Sequence, residues 1–524
     1  MIAKICCCLL ALLVYVQYLL YLMHMFQLNT YKNNEQSAWN KKNSAILGRH
    51  IVYLAVTLAG YVLTRPAVGQ APQGLAFAAI CLLLILQLWF WQPKQKAKKP
   101  LVYTARVIRM LVTHGVLLLV GVPTLVWVLP AYDVFTALIF YTMLLPWLIL
   151  LVNRLNAPIQ KAINRKFIKE AENKIKAMPE LTVIGITGSY GKTSVKFFLT
   201  ELLSGKYNVL CTPRNFNTDL GVTRTVREDL QPVHEVFVCE MGARYEKDIQ
   251  TICDIVHPKY GVITAIGPQH LETFGSMDTI VKTKFELYDA LPADGMAFLN
   301  YDNEYILHHK GDKPQIGFGE SEQADVRLLS MELTAHGTDF AVSIEGKTVQ
   351  FHTELIGYHN ILDITAAIAV AHKMQVSNAE LQRRVRRLHP VEHRLQLLPK
   401  RGRVSIIDDA YNSNPQGFHG AIDTLRRFEG KTRVLVTPGM IELGAKEYEL
   451  NKQAGRYAAT GCDYIILVGK KQTQPLLEGV REETAFDQSH VQQVDTLQDA
   501  WKIIPTLPGE ELVVLLENDL PDNY

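Results

Sequence analysis

VIGITGSYGKTSVKFFLTELL, from Val183 to Leu203, decides the fold of the second part of this chain. Its first residues are β-branched and apolar, the pattern of a buried strand starting near Leu181, and from Thr193 onward the pattern turns helical. Between them Gly188, Ser189, Tyr190 and Gly191 form a glycine-bounded turn that aims successive backbone N–H groups at one point. A phosphate suits that point. The helix N-terminus adds its dipole, Lys192 reaches the β and γ oxygens, and the Thr193 hydroxyl is placed to ligate Mg2+. Gly188, Ser189, Gly191, Lys192, Thr193 and Ser194 are therefore the expected nucleotide-binding residues. The spacing departs from the usual GxxxxGK, because Ile186 stands where the first glycine would be.

Upstream the composition changes. Runs of roughly 18 or more apolar residues are long enough to cross a bilayer as helices. About five are expected: Ile2 to Phe26, Gly48 to Leu63, Gly74 to Trp91, Val107 to Leu129 and Val134 to Val152. The first is too long for a secretory signal, and no small-x-small cleavage site follows it, so it reads as a retained anchor. Basic residues gather around Lys41 and Lys42, around Lys94 to Arg106, and after Arg154, whereas the loop at Ala131 has none. The positive-inside bias then places those basic loops, and everything after Arg154, in the cytoplasm. Residues 1–154 are thus expected as an α-helical membrane domain, followed by a lysine-rich connector helix over 155–180 near anionic membrane lipid.

At 524 residues the chain is long enough for two or three domains, and its net charge of +3 carries no basic block outside the membrane flanks, so no nucleic acid partner is expected. The eight cysteines form no CxxC pair and sit near no histidine at zinc spacing, which suits a reducing compartment.

Downstream, the residues resemble the Mur ligase family, whose phosphate loop reads GxTGxxGKT[ST], as Gly185 to Ser194 does. RNFNTDLGV, Arg214 to Val222, is similar to the family's substrate loop, which implies substrate roles for Asn215, Asn217 and Thr218. VFVCEMGA, Val236 to Ala243, reads as a strand ending in Glu240; a carboxylate there can hold Mg2+ opposite the loop, or it can be a solvated loop end. In Ile263 to Leu287, the resemblance implies that His270 ligates a second metal and that Lys284 is carbamylated by CO2, its anion helping to bind Mg2+. From the residues alone, His270 reads as a capping or core histidine and Lys284 as a surface lysine.

GYHNILDITAAIAVAH, Gly357 to His372, is similar to the family's GxHNxxN segment, so Asn360 is implied to contact adenine, while Asp363 replaces the second asparagine. Arg394 resembles the arginine that meets the phosphates where the last two domains join; pairing with Glu392 is the alternative. Strand-like runs at Val404 to Ile407, Arg433 to Thr437, Tyr464 to Val468 and Leu512 to Leu516 alternate with helix-length segments, predicting a Rossmann-like sheet over 395–524. There is no GxGxxG for a dinucleotide. DDAYNSNPQG, Asp408 to Gly417, looks like the family's DDxYxxNP motif, which places Asp409 toward the nucleotide and has Tyr411 and Asn414 shape a substrate loop; Asn414-Pro415 is also a helix start.

The resemblance, covering about Leu181 to near the C-terminus, implies a P-loop central domain over 181–394 and a C-terminal α/β domain. It implies an ATP- and Mg2+-dependent amide ligase of peptidoglycan precursors, joining an amine such as D-alanyl-D-alanine to a cell-wall or muramoyl-peptide acceptor. Lys192, Lys284, His270 and Asp409 would be catalytic. Two features depart from the family: membrane spans replace the UDP-binding domain, and ENDLPDNY lacks a KGSR-like segment. A lipid-linked precursor or γ-linked polyglutamate as substrate stays open, as does a membrane-coupled P-loop ATPase.

Overall fold

Long apolar runs give long helices at the start of the chain. The computed structural model describes residues 2–63, 72–90, 99–128, 133–213, 216–309, 311–334, 337–411, 413–441 and 443–519. The chain divides into two compact units, the first essentially residues 1–165 and the second 166–520. The helices at the start are α1 (Ile2–Leu28), α2 (Asn33–Lys42), α3 (Ser44–Leu63), α4 (Pro72–Phe90), α5 (Ala105–Val128), α6 (Val134–Met143) and α7 (Leu145–Lys176).

Among the described residues three helices, α1, α3 and α5, are long and apolar enough to cross a membrane. The last expected span, Val134 to Val152, is instead broken into α6 and the start of α7, which meet at a bend of 77° and would make a fourth span if taken together. Asp133 caps α6 by accepting from the Thr136 N–H, and the break falls at Leu144, just before Pro146, which has no N–H to offer the Thr142 carbonyl. The apolar part of α4, Ala78–Trp89, is shorter than a full span. The segment expected as a connector, 155–180, lies mostly within α7, which continues through Pro158. Val52, Val56, Leu82, Leu119 and Trp127 expose large apolar surface on this unit, while the His50 and Gln87 side chains bond one another at 3.0 Å inside it.

The second unit alternates strand and helix: β1 (Thr182–Thr187), α8 (Lys192–Leu203), β2 (Val209–Cys211), α9 (Asp219–Glu228), β3 (Val236–Glu240), α10 (Asp248–Val256), β4 (Tyr260–Ile263), α11 (Leu271–Phe274), α12 (Met277–Ala290), β5 (Met296–Asn300), α13 (Glu304–Leu307) and β6 (Gln315–Gly319). A meander follows, β7 (Val326–Thr334), β8 (Gly337–Ile344) and β9 (Lys347–Thr353), then α14 (Tyr358–Lys373) and α15 (Asn378–Val385). The sheet runs β2-β3-β1-β4-β5-β6-β7-β8-β9, parallel up to β7 and antiparallel beyond it. Ile184, Ile186, Val195, Phe198 and Leu199 bury one face of β1 under α8; Val183, Phe237 and Leu287 bury the other. Both faces are apolar because helices cover both, as a parallel sheet requires.

The last part contains β10 (Gln396–Arg401), β11 (Val404–Asp409), α16 (Pro415–Arg426), β12 (Thr432–Thr437), α17 (Glu447–Ala459), β13 (Tyr464–Val468), α18 (Gln474–Glu482), β14 (Val491–Val494), α19 (Leu497–Ile503) and β15 (Leu512–Glu517). Its sheet order is β10-β11-β15-β12-β13-β14. All pairs are parallel except β10 with β11. The four runs expected as strands are β11, β12, β13 and β15; β10 and β14 are additional. Parallel strands with covering helices put the C-terminal strand tips at one edge, where ligands of such sheets bind.

Candidate active site

The loop after β1 needs glycine at two places. Gly188 has φ 151° and Gly191 φ 79°, and a side chain at Gly191 would put a Cβ 2.5 Å from the Asp363 carboxylate. The turn is pinned to the segment that follows β4. Ser189 is buried, its hydroxyl donating to the Gly267 carbonyl at 3.0 Å and accepting from the Gly267 N–H at 3.1 Å. Lys192 opens α8 and folds back, its Nζ donating to the carbonyls of Gly188 (2.7 Å) and Ser189 (3.1 Å). Burial pushes Lys192 down to about 8, with Arg394 lowering it further and Glu240 and Asp363 opposing. Loop carbonyls are weak partners for an ammonium, so a phosphate would displace them.

Glu240 ends β3 beside the loop and is 1% exposed. Its Oε1 accepts from Thr193 Oγ1 at 3.1 Å and from Asn217 Nδ2 at 2.9 Å, and its Oε2 pairs with Lys196 Nζ at 2.9 Å. Burial raises this carboxyl, but Lys196 and Lys192 outweigh burial and hold it below the usual carboxylate range. The solvated loop end is therefore not what the structure has. Lys196 is fully buried, one turn beyond Lys192, and was not expected at the site. Asn217 serves Glu240, and Thr218 caps α9 by accepting from the Gly221 N–H at 3.2 Å. Asn215 lies outside the described residues.

Lys284 sits on α12 with 2% exposure, so it is no surface lysine. Its Nζ makes no hydrogen bond or ion pair with the described residues and lies 5.9 Å from the centre of the Phe274 ring. Burial, then the charge of Lys192, push it down to about 7 against the pull of Asp248 and Glu286. His270 takes the left-handed backbone region, φ 53°, ahead of α11, and its carbonyl accepts from Thr273 and Phe274. No group of three or more His, Cys, Asp or Glu side chains suited to a metal ion occurs among the described residues.

On α14, Asn360 is buried and its amide donates to the Ile356 carbonyl at 2.9 Å. Asp363, one turn further, accepts from the Ser194 hydroxyl and leans on Gly191; burial holds its carboxyl well above the usual range, against Arg394, Ser194 and Lys192. Arg394 does not pair with Glu392, which meets His393 at 3.7 Å. Its guanidinium lies over the Tyr411 ring, 4.3 Å from the centre, and makes no hydrogen bond or ion pair with the described residues. Tyr411 thus serves as a platform for Arg394.

At the tip of β11, Asp409 Oδ1 accepts from the Leu395 N–H at 3.0 Å. Asn414 caps α16, its Oδ1 accepting from the Gly417 N–H at 2.8 Å with Pro415 in the first turn. Opposite Asp409, at the tip of β15, stands Glu517, also unexpected from the sequence. Lys192, Asp363, Arg394 and Asp409 form a succession of basic and acidic side chains from the phosphate loop to the last sheet, each acting on the next. A guanidinium unpaired among the described residues, facing a glycine-rich loop with a half-buried lysine held only by carbonyls, is an arrangement for a polyphosphate.

Residues 186–371 match the Mur ligase middle domain and residues 393–516 the Mur ligase glutamate ligase domain. Over 294 residues the chain is 32% identical to the UDP-N-acetylmuramoyl-tripeptide--D-alanyl-D-alanine ligase of Escherichia coli (strain K12), an overlap of 55% of this chain and 65% of that one. The chain thus spans just under two thirds of that relative. Its fold is similar to MurF from Acinetobacter baumannii, with TM-score 0.62, 25% identity, and 68% of this chain and 77% of the other covered. MurF from Thermotoga maritima in complex with ADP gives TM-score 0.60 at 26% identity over 68% of this chain and 80% of that one.

Proposed function

We propose, on the premise that this chain belongs to the Mur ligase family through its middle and glutamate ligase domains, that it is an ATP-dependent amide ligase of peptidoglycan-precursor synthesis. It joins an amine such as D-alanyl-D-alanine to the carboxylate of a muramoyl-peptide acceptor, the substrate and product class that the Escherichia coli relative's name describes. The observation that carries this reading over a plain ATPase is Lys284: a buried lysine with no hydrogen-bond or ion-pair partner among the described residues, pushed to about 7 beside a phosphate loop. Phosphate release alone has no use for it. A neutral lysine amine adds CO2, releasing one proton, and becomes a carbamate anion suited to a hard cation.

In the mechanism, the acceptor carboxylate attacks the γ-phosphorus and ADP leaves. Lys192 and the loop N–H groups stabilise the charge that builds on the transferring phosphoryl group. Arg394, which makes no hydrogen bond or ion pair among the described residues, takes up phosphate charge. The amine then attacks the acyl phosphate, forming the amide and releasing phosphate. Thr193 and Glu240 form a hydroxyl-carboxylate pair that fits Mg2+, an ion that takes few protein ligands and completes its shell with phosphate and water. Carbamylated Lys284 and His270 would complete that environment, and the ion would neutralise phosphate charge. Asn360 is assigned to adenine. Asn215, Asn217, Thr218, Tyr411 and Asn414 are assigned to the acceptor side, directly or by shaping its loops.

The apolar helices favour a second feature. Large exposed apolar side chains on α1, α3 and α5 have no stable place in water, so this unit is read as a membrane anchor with the catalytic unit on the cytoplasmic side. An anchor suits an acceptor that is itself lipid-linked. The test supplies detergent-solubilised protein with MgATP, UDP-linked or lipid-linked muramoyl-tripeptide, and D-alanyl-D-alanine, and follows phosphate and products by mass. Phosphate release should require both acceptor and amine; release indifferent to both would leave a P-loop ATPase.

A further inference from the structure

Asp409 and Glu517 are register partners at the tips of parallel strands β11 and β15, so two carboxyl groups end side by side at the cleft. Glu517 is 1% exposed. Its Oε1 accepts from the Ser413 hydroxyl at 2.5 Å, while its Oε2 has no donor. As register partners on adjacent parallel strands the two acid side chains stand next to one another, and each feels the other's charge. Two ionised carboxylates side by side repel one another, and removal from water makes a double charge costlier still, so one proton belongs between them. Asp409 is the member that accepts from a backbone donor, the Leu395 N–H, and that is only partly buried.

We propose that Glu517 is a positioning residue of the nucleotide site: a neutral acid that donates its proton to Asp409 and fixes the ionised Asp409 with its free oxygen toward the bound nucleotide. The charged surroundings agree. Arg394 is the cation facing both acids and balances one negative charge, and His359 of α14, which also faces Asp409, is kept toward its neutral form by burial. Burial, followed by the charge of Asp409, raises Glu517 well above the ordinary carboxyl range. The role rests on reading the cleft as an ATP site, but the shared proton does not.

Two measurements on the full-length protein in detergent separate these. In infrared spectra at neutral pH, the difference between wild type and Glu517→Gln should contain the carbonyl band of a protonated carboxylic acid. Its absence would overturn the proposal. In titrations with MgADP, Glu517→Gln, whose amide can still donate to Asp409 and accept from Ser413, should bind close to wild type. Glu517→Ala should bind about tenfold more weakly, the scale for removing a group that orients a binding residue. A folded Glu517→Gln protein as weak as Glu517→Ala would overturn the positioning role. Failure of the wild type to bind MgADP would overturn the reading of the cleft and this role with it, while the infrared band would still decide the proton.

Discussion

Lys192 is half-buried and Lys284 buried, and the chemistry proposed for them differs. Lys192 is held by loop carbonyls and meets phosphate as a cation. Lys192→Ala should cut the rate of phosphate release by about a hundred- to thousandfold, about 3–4 kcal/mol of transition-state stabilisation, with the thermal unfolding temperature little changed. Lys284, pushed down to about 7, is mostly neutral above that pH and mostly cationic below it. Since only the neutral amine adds CO2, the carbamate, followed by NMR with carbon-13 bicarbonate, should grow as pH rises from 6 to 8 and fade as it falls. Lys284→Ala should lose most activity, and acetate, but not chloride, should restore part of it. The sequence made the loop residues legible because glycine, lysine and threonine act there through local geometry. Lys196 and Glu517 were not legible: Lys196 reads as the polar side of α8 until β3 brings Glu240 against it, and Glu517 finds Asp409 only through parallel strand pairing.

Strand β1, the loop and α8 are read correctly from periodicity because a strand buried on both sides and an amphipathic helix have opposite signatures. Edges are harder. β10 holds Pro399 and Lys400, residues that keep an edge strand from pairing further, and β14 has two glutamines in four residues, so neither announces a strand. Hydropathy also counts residues without seeing the break at Leu144, which is why one expected span becomes two helices bent by 77°. The loop itself yields a prediction at this scale. Gly191→Ala must hold φ 79° with a Cβ 2.5 Å from Asp363 Oδ1. The left-handed backbone alone costs about 1–2 kcal/mol. Thermal unfolding of this unit should shift downward and MgADP binding should be lost; an unchanged MgADP affinity would argue against this turn as the phosphate cradle.

The whole molecule joins a helical unit to an α/β one, and α7 crosses the division between them. Ala171 and Ile175 of α7 are buried with Val183 and Phe237 in the core of the second unit. A chain starting at Lys166 keeps those contacts and should fold and bind MgADP, seen as a rise in its unfolding temperature. Its activity should fall much more on a lipid-linked acceptor than on a soluble one; equal loss on both would remove the proposed reason for the anchor. The central claim is that phosphate is passed to a carboxylate before an amine arrives. The direct measurement places oxygen-18 in the acceptor carboxylate and follows it through one round of synthesis with MgATP and the amine. Transfer of one labelled oxygen into the released phosphate is the expected result, and unlabelled phosphate alongside amide product would contradict the account.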